Sequence, residues 1–355
     1  MRNKTIYWVL TVFLAYLFSC AGSRPVQQPA KGDGSSFDYY YKALNFLESH
    51  QFDKALAELD TAIALKPEYA PFYYVQGRIL QMVGKEDSAI VSYEKALRYK
   101  SYYPEVWKLL TPLYLKKGEF TRAVDIVKSL VGEYPDSLHY HLDLAEAYLG
   151  IGKPKLAIEE VRFFTSGHTS VPRVNQLLGL AYFEAGEYTR AIPYLRKAVQ
   201  HSPDNFQLQR ALGIALFNQG KMDEGLSHLN RALQLRPDAA EIYLYRARYF
   251  WKRNKPVRAI EQLNLGIQRD SSAASLFTEK GKYLYLQGDT ATARILLEKA
   301  LKLNPNYLEA YKWLGFLCQE SGEPARARKL LLYYRQHTLH RDRDVEQRLK
   351  QLGEK

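Results

Sequence analysis

Residues 274–307 read ASLFTEKGKYLYLQGDTATARILLEKALKLNPNY, and four positions in this stretch decide the fold: Gly281, Gly288, Ala293 and Pro305. Gly288 sits where a helix ends in a left-handed residue before the chain turns back. Pro305 stops the helix that follows, because it lacks an N–H and its ring clashes with the preceding turn. Gly281 and Ala293 are small, and two helices approach closely only where the facing side chains are small. The stretch therefore predicts two short helices folded against each other.

The same pattern recurs on both sides. Ala55, Ala89, Ala123, Ala157, Ala191, Gly225, Ala259, Ala293 and Ala327 stand 34 residues apart without a slip, the mark of a repeat architecture. Twelve residues upstream of each lies a second small column, Ala43, Gly77, Thr111, Ala145, Gly179, Gly213, Ala247, Gly281 and Gly315. Three residues later comes a large apolar column, from Phe46 and Leu80 to Leu284 and Cys318, expected to fill the space the small residues open. The turn column is His50, Gly84, Gly118, Gly152, Gly186, Gly220, Asn254, Gly288 and Gly322. Pro154, Pro256 and Pro324 open second helices, where a missing N–H costs nothing, and Pro67, Pro135, Pro203, Pro237 and Pro305 close them.

These columns resemble the tetratricopeptide repeat family over residues 36–341. The resemblance implies an all-α, right-handed α-solenoid of nine helix-turn-helix repeats: 36–69, 70–103, 104–137, 138–171, 172–205, 206–239, 240–273, 274–307 and 308–341. Residues 342–355 are expected to form a capping helix, with Val345, Leu349 and Leu352 as its apolar stripe, Asp342 or Asp344 as N-cap and Gly353 as terminator. Pro112 and Pro193 fall inside helices and predict local kinks. The polar stretch 165–170 is expected to shorten its helix, and the units containing Pro112 and Gly167 to form a hinge.

The chain has 355 residues, 46% of them hydrophobic and 25% charged, which excludes disorder throughout. Two cysteines, Cys20 and Cys318, exclude a disulfide scaffold. Residues 1–19 read as a signal peptide, since Arg2 and Lys4 precede an apolar run from Ile6 to Phe18 that is too short to span a bilayer. Leu17-Phe18-Ser19-Cys20 resembles the lipobox of bacterial lipoproteins, Phe18 departing from its usual small residue; the resemblance implies lipidation of Cys20. An uncleaved anchor or a cut elsewhere is the alternative. Residues 20–35 then form the lipidated cysteine and a flexible tether. Because Ala21 is not the aspartate that resembles an inner-membrane retention signal, an outer-membrane lipoprotein facing the periplasm is expected.

The signatures of chemistry are missing from the sequence. There is no phosphate loop, GxSxG, HExxH or CxxC. His139, His141 and Asp143 are two residues apart, so helical neighbours among them point about 200° apart and cannot share an ion. Cys318 reads as a buried small hydrophobe. The chain is expected to be no enzyme, with no cofactor, metal, small-molecule substrate or nucleic-acid partner.

In proteins resembling this one the first helix of each pair lines the concave side. The fifth, ninth and twelfth residues of each unit then supply a groove of Tyr40, Tyr74, Arg78, Lys108, Phe183, Arg210, Phe217, Arg248, Trp251, Lys282, Tyr285 and Lys312. Phe183, Phe217, Trp251 and Tyr285, 34 apart, are expected to form an aromatic ladder beside Arg210, Arg248 and Lys282. Arginine forks onto carboxylates and stacks on rings, so the surface suits a peptide segment. The Lys/Asn constellation of the carboxylate-clamp subtype is not reproduced on any adjacent pair of units. Two readings stay open: a groove for partner proteins of the cell envelope, or solvated cations with aromatics packed between helices. With a net charge of +12, binding of peptidoglycan or another anionic envelope polymer is the alternative function, and an enzyme the remote one.

Overall fold

Helices of 9 to 14 residues are marginal alone in water, so each one here must be held by its neighbours. The computed structural model describes residues 36–164 and 171–353. Its nineteen helices take up the sequence units two by two: α1 (Ser36–Glu48) and α2 (Phe52–Leu65), α3 (Ala70–Met82) and α4 (Glu86–Tyr99), α5 (Pro104–Lys117) and α6 (Phe120–Glu133), α7 (Leu138–Gly150) and α8 (Pro154–Phe164). Then follow α9 (Pro172–Glu184) and α10 (Tyr188–His201), α11 (Phe206–Asn218) and α12 (Met222–Leu235), α13 (Ala240–Lys252) and α14 (Pro256–Arg269). The last are α15 (Ala274–Leu286) and α16 (Thr290–Leu303), α17 (Leu308–Glu320) and α18 (Pro324–His337), and the single α19 (Arg343–Gln351). No strand occurs among the described residues. The fold is an all-α solenoid of helix pairs. The signal segment, Cys20, the tether and the stretch 165–170 lie outside the described residues.

Every residue of the turn column adopts the left-handed conformation, with φ from +54° at Asn254 to +90° at Gly288. The turns close with the bonds of a Schellman motif: Gly84 N–H donates to the Gln81 carbonyl at 3.1 Å and Lys85 N–H to that of Leu80 at 2.8 Å.

Close approach within a pair has a different origin from the one expected. The knob comes from the second helix, sixteen residues after the small residue, and not from the first helix three residues after it. A Cβ built on Gly77 would stand 2.5 Å from Tyr93 Cε1, and one on Gly213 or Gly315 2.7 Å or 2.6 Å from Leu229 or Leu331. Tyr93, Leu229 and Leu331 are all fully buried. Along a single helix, positions eight and eleven share a face but cannot fill each other's space; only a second helix brings a side chain over the gap.

Successive repeats are tied by a bond that uses the closing proline. Tyr73 Oη donates to the Pro67 carbonyl at 2.8 Å, Gln209 Nε2 to that of Pro203 at 2.7 Å, Tyr243 Oη to that of Pro237 at 3.4 Å and Tyr311 Oη to that of Pro305 at 2.8 Å. His141 Nε2 lies 3.0 Å from the Pro135 carbonyl. All five donors occupy the fourth position of the next repeat. Where the proline is replaced by Ser101, Thr169 or Ser271, that position holds Trp107, Asn175 or Phe277. Three of the chain's 28 tyrosines thus serve the junctions between repeats.

The chain divides into two compact units, residues 1–113 and 114–355. The division falls one residue past Pro112, inside α5. Both α5 and α10 run on as helix through Pro112 and Pro193. At the far end Asp342 caps α19, accepting from the N–H groups of Asp344 and Val345, while Val345 and Leu349 are buried and Gly353 terminates the helix at φ +84°.

Candidate functional site

In the second unit the first helices α9, α11, α13, α15 and α17 lie against one another in turn, so residues at the same repeat position line a common face. Three of them frame a cleft of about 420 Å³ with α11. Phe217 comes from α11, Arg248, Trp251 and Lys252 from α13, Thr278, Glu279, Lys282 and Tyr283 from α15, and Tyr307, Glu309 and Trp313 from the start of α17. Four of the expected groove residues, Phe217, Arg248, Trp251 and Lys282, therefore meet in one place.

Glu279 organises the floor of this cleft. It is only 6% exposed, and its carboxylate accepts from Arg248 Nη2 at 3.1 Å and lies 3.4 Å from Lys282 Nζ. Burial pushes this carboxyl upward, but the charges of Arg248 and Lys282 outweigh burial and hold it below the usual carboxylate range. Arg248 shows the mirror effect: burial opposes its charge, and Glu279 more than restores it. Tyr283 is pushed up by burial and by its hydrogen bond to Glu279, so its hydroxyl keeps its proton. On the wall, Trp251 stacks flat on Tyr283 at 4.0 Å and 5°, and Lys282 Nζ sits 5.2 Å from the Trp313 ring centre. A buried carboxylate that engages one donor each of a guanidinium and an ammonium fixes both groups and leaves their other N–H donors available. Between two indoles, the arrangement can hold an acidic or carbonyl group flanked by a flat apolar one.

The expected ladder is not formed along the column. Each ring finds its partner off the column: Phe183 with Tyr188 at 5.9 Å, Phe217 with Tyr245 at 5.3 Å, Trp251 with Tyr283 and Tyr285 with Trp313 at 6.0 Å. The other second-unit residues are tied down individually. Arg210 donates to Glu241 at 2.7 Å and stacks over Phe183. Lys312, 14% exposed, is bound to Asp342 beneath α19. Tyr285 bonds to Glu320 and Arg348, and its hydroxyl is pushed up to about 12, chiefly by burial.

In the first unit Tyr40 packs on Phe72 at 5.1 Å and Tyr74 on Tyr103 at 5.4 Å, with Arg78 5.7 Å over Tyr74. Burial pushes the Tyr40 hydroxyl up to about 12. Lys108 is exposed on α5. His139 reaches Asp143 at 3.5 Å, whereas His141 turns away to Glu160 at 2.8 Å. Cys318 is fully buried in the core of α16, α17 and α18.

Reading columns of like positions missed the acidic half of the face. Glu241 and Glu279 lie 31 residues after Arg210 and Arg248, and Asp342 30 after Lys312. A search for opposite charges at that separation, one repeat less three or four residues, would have found them.

Sequence profiles of the tetratricopeptide repeat match residues 40–104, 110–162, 177–238, 210–274 and 284–336. The TPR repeat-containing protein MJ1428 of Methanocaldococcus jannaschii is 26% identical over 180 residues, 48% of this chain and 32% of that protein. The BBSome complex member BBS4 of Bos taurus is 24% identical over 158 residues, 44% of this chain and 30% of that protein. The chain thus spans about a third of the length of these relatives. The crystal structure of the APC/C hetero-tetramer Cut9–Hcn1 superposes with a TM-score of 0.56 at 14% identity, covering 90% of this chain and 64% of that one, a likeness of fold. With most of its length matched and its helix pairs in the 34-residue register, the chain belongs to the tetratricopeptide repeat family.

Proposed function

We propose that this chain is a non-catalytic scaffold of a bacterial cell envelope, lipidated at Cys20, held at the outer membrane facing the periplasm, and binding segments of partner proteins in the cleft between α11 and α17. Tetratricopeptide repeat proteins generally act as protein–protein interaction scaffolds, and the bovine relative is named as a member of a complex. The observation that carries the reading is the cleft itself: Trp251 and Trp313 as walls, with Arg248 and Lys282 held in place by buried Glu279. The lipobox-like residues 17–20 support the envelope location.

Binding of an anionic polymer is the weaker reading. A polyanion wants an uncompensated cationic track, whereas Arg210 and Lys312 are each paired with a carboxylate and Arg248 and Lys282 share Glu279. Partners recovered by crosslinking from cells are to be bound by the wild type and by Trp251→Ala and Lys282→Glu variants of unchanged helicity. Truncation of a real anchor costs about 2 kcal/mol or more, so a loss of roughly thirtyfold is expected for Trp251→Ala. Undiminished binding in both variants would place the interface elsewhere. Labelling with a fatty-acid analogue that persists in Cys20→Ala, or that never appears in the wild type, rules out the anchor.

A further inference from the structure

Cations that lack a carboxylate gather outside the cleft, around Lys252, Lys255 and Arg258 and again at the far end of the second unit. Residues 324–343 hold six Arg or Lys against one acid, Asp342, and that acid is spent on Lys312 and on capping α19. Arg326 is paired with Glu298 and Arg335 with Glu346. Arg328, Lys329, Arg341 and Arg343 are exposed with no carboxylate in ion-pair range among the described residues. Lys329, Tyr333 and His337 follow one another at four-residue steps along α18, which aligns them in a stripe. The stripe is stiffened by stacking of Tyr333 on Tyr311 at 4.3 Å and on His337 at 4.2 Å. It leads into the loop before α19, where Leu339 is 95% exposed and is followed by His340 and Arg341.

We propose that this end of the second unit is a membrane-surface contact: Lys329, Arg341 and Arg343 meet anionic lipid headgroups, and Leu339 enters the boundary between headgroups and acyl chains. The pattern of charge and exposure selects this occupant. A nucleic acid would satisfy the cations but would give a lone, exposed leucine nothing to enter, and an acidic protein would need an apolar pocket set among its carboxylates. A bilayer surface takes both, with cations within a Debye length of the lipid charge and an apolar side chain inserted between them. The contact needs neither the cleft nor the lipid at Cys20, so it stands or falls apart from the scaffold function.

The test places an environment-sensitive fluorophore at residue 339 in the full chain carrying Cys20→Ser and Leu339→Cys, with buried Cys318 out of reach of the label. Residues 6–18 can carry the chain to any vesicle, so the readout is the emission of the probe and not adsorption. A blue shift is expected on phosphatidylcholine vesicles containing about one-third phosphatidylglycerol, screened by salt. No shift is expected on phosphatidylcholine alone, and Lys329→Ala, Arg341→Ala and Arg343→Ala together should abolish the shift while leaving helical dichroism unchanged. An unshifted probe on anionic vesicles, an equal shift on neutral ones, or a shift that survives the triple substitution overturns the proposal. A shift with polyglutamate or single-stranded DNA but not with vesicles overturns it too, and assigns the patch to a macromolecular polyanion.

Discussion

Tyr93 places its ring where any side chain at Gly77 would stand, since a Cβ there falls 2.5 Å from Cε1. Overpacking of this kind costs about 1–3 kcal/mol, so Gly77→Ala should lower the urea midpoint, and Tyr93→Leu in the same background should recover part of the loss. The turn column offers the opposite experiment. His50 holds φ +56° and Gly220 φ +85°, and a left-handed conformation costs a non-glycine residue about 1–2 kcal/mol. His50→Gly should gain up to about 1 kcal/mol after the greater unfolded-state freedom of glycine is subtracted, while Gly220→Ala should lose about 1–2 kcal/mol; denaturant titration of both variants decides. A third test uses pH. His228 Nδ1–H donates to Gln209 Oε1 at 2.8 Å, and burial holds its imidazole below the usual value of 6.5. The unfolded chain therefore binds this proton more readily than the folded one. Its contribution to stability is complete above about pH 6.5 and is lost as pH falls below that value, so stability measured from about pH 7.5 down to 5.5 should decline less in His228→Gln. At this scale the left-handed turn residues were legible because each is a local requirement on one φ angle. The knobs were not, because Tyr93 and Leu229 meet Gly77 and Gly213 only after the chain has turned back.

Single helices show what the repeat lends its neighbours. α19 carries a capping aspartate that also accepts from Lys312 and Tyr334. Burial alone would raise the Asp342 carboxyl; the Lys312 hydrogen bond and charge, with the two backbone N–H groups, hold it below its usual value. That contribution is present above about pH 4 and is lost as pH falls through the lower folded value. Removing the carboxylate abandons a cap worth about 1 kcal/mol and leaves Lys312 largely buried without its partner, so Asp342→Ala should cost about 2–4 kcal/mol. Hydrogen exchange should show α19 and the end of α18 opening first. The existence of α19 could be read from its apolar stripe and its flanking Asp342 and Gly353, while the helix itself runs only from Arg343 to Gln351. That its cap would immobilise Lys312, an expected groove residue, could not, because the ion pair joins residues 30 apart on different helices. The same holds for Glu279, whose burial between Arg248 and Lys282 depends on how α13 and α15 lie together. Periodicity identifies which positions share a face; the charge of a cleft depends on neighbours drawn from several positions at once.

At the scale of the whole molecule, the 34-residue register was legible because nine copies of one weak signal reinforce one another, and the position of the cleft was not, because one face is repeated nine times while Trp251, Tyr283 and Trp313 come together once. The proline junctions make the copies unequal in another way: they form a joinery with two kinds of ends. Excising residues 206–239 would set Pro203 before the repeat that opens with Tyr243 in the donor position, and the joint would close again. Excising residues 240–273 would set Pro237 before Phe277, which has no hydrogen to donate, and the carbonyl would be left without its bond. Two deletions of identical length, both preserving register, should therefore differ in stability by about 1 kcal/mol or more at the joint, the first the more stable in urea. An array that looks freely extensible thus carries a grammar of permitted neighbours, and lengthening or shortening such a chain by whole units succeeds only where the ends agree.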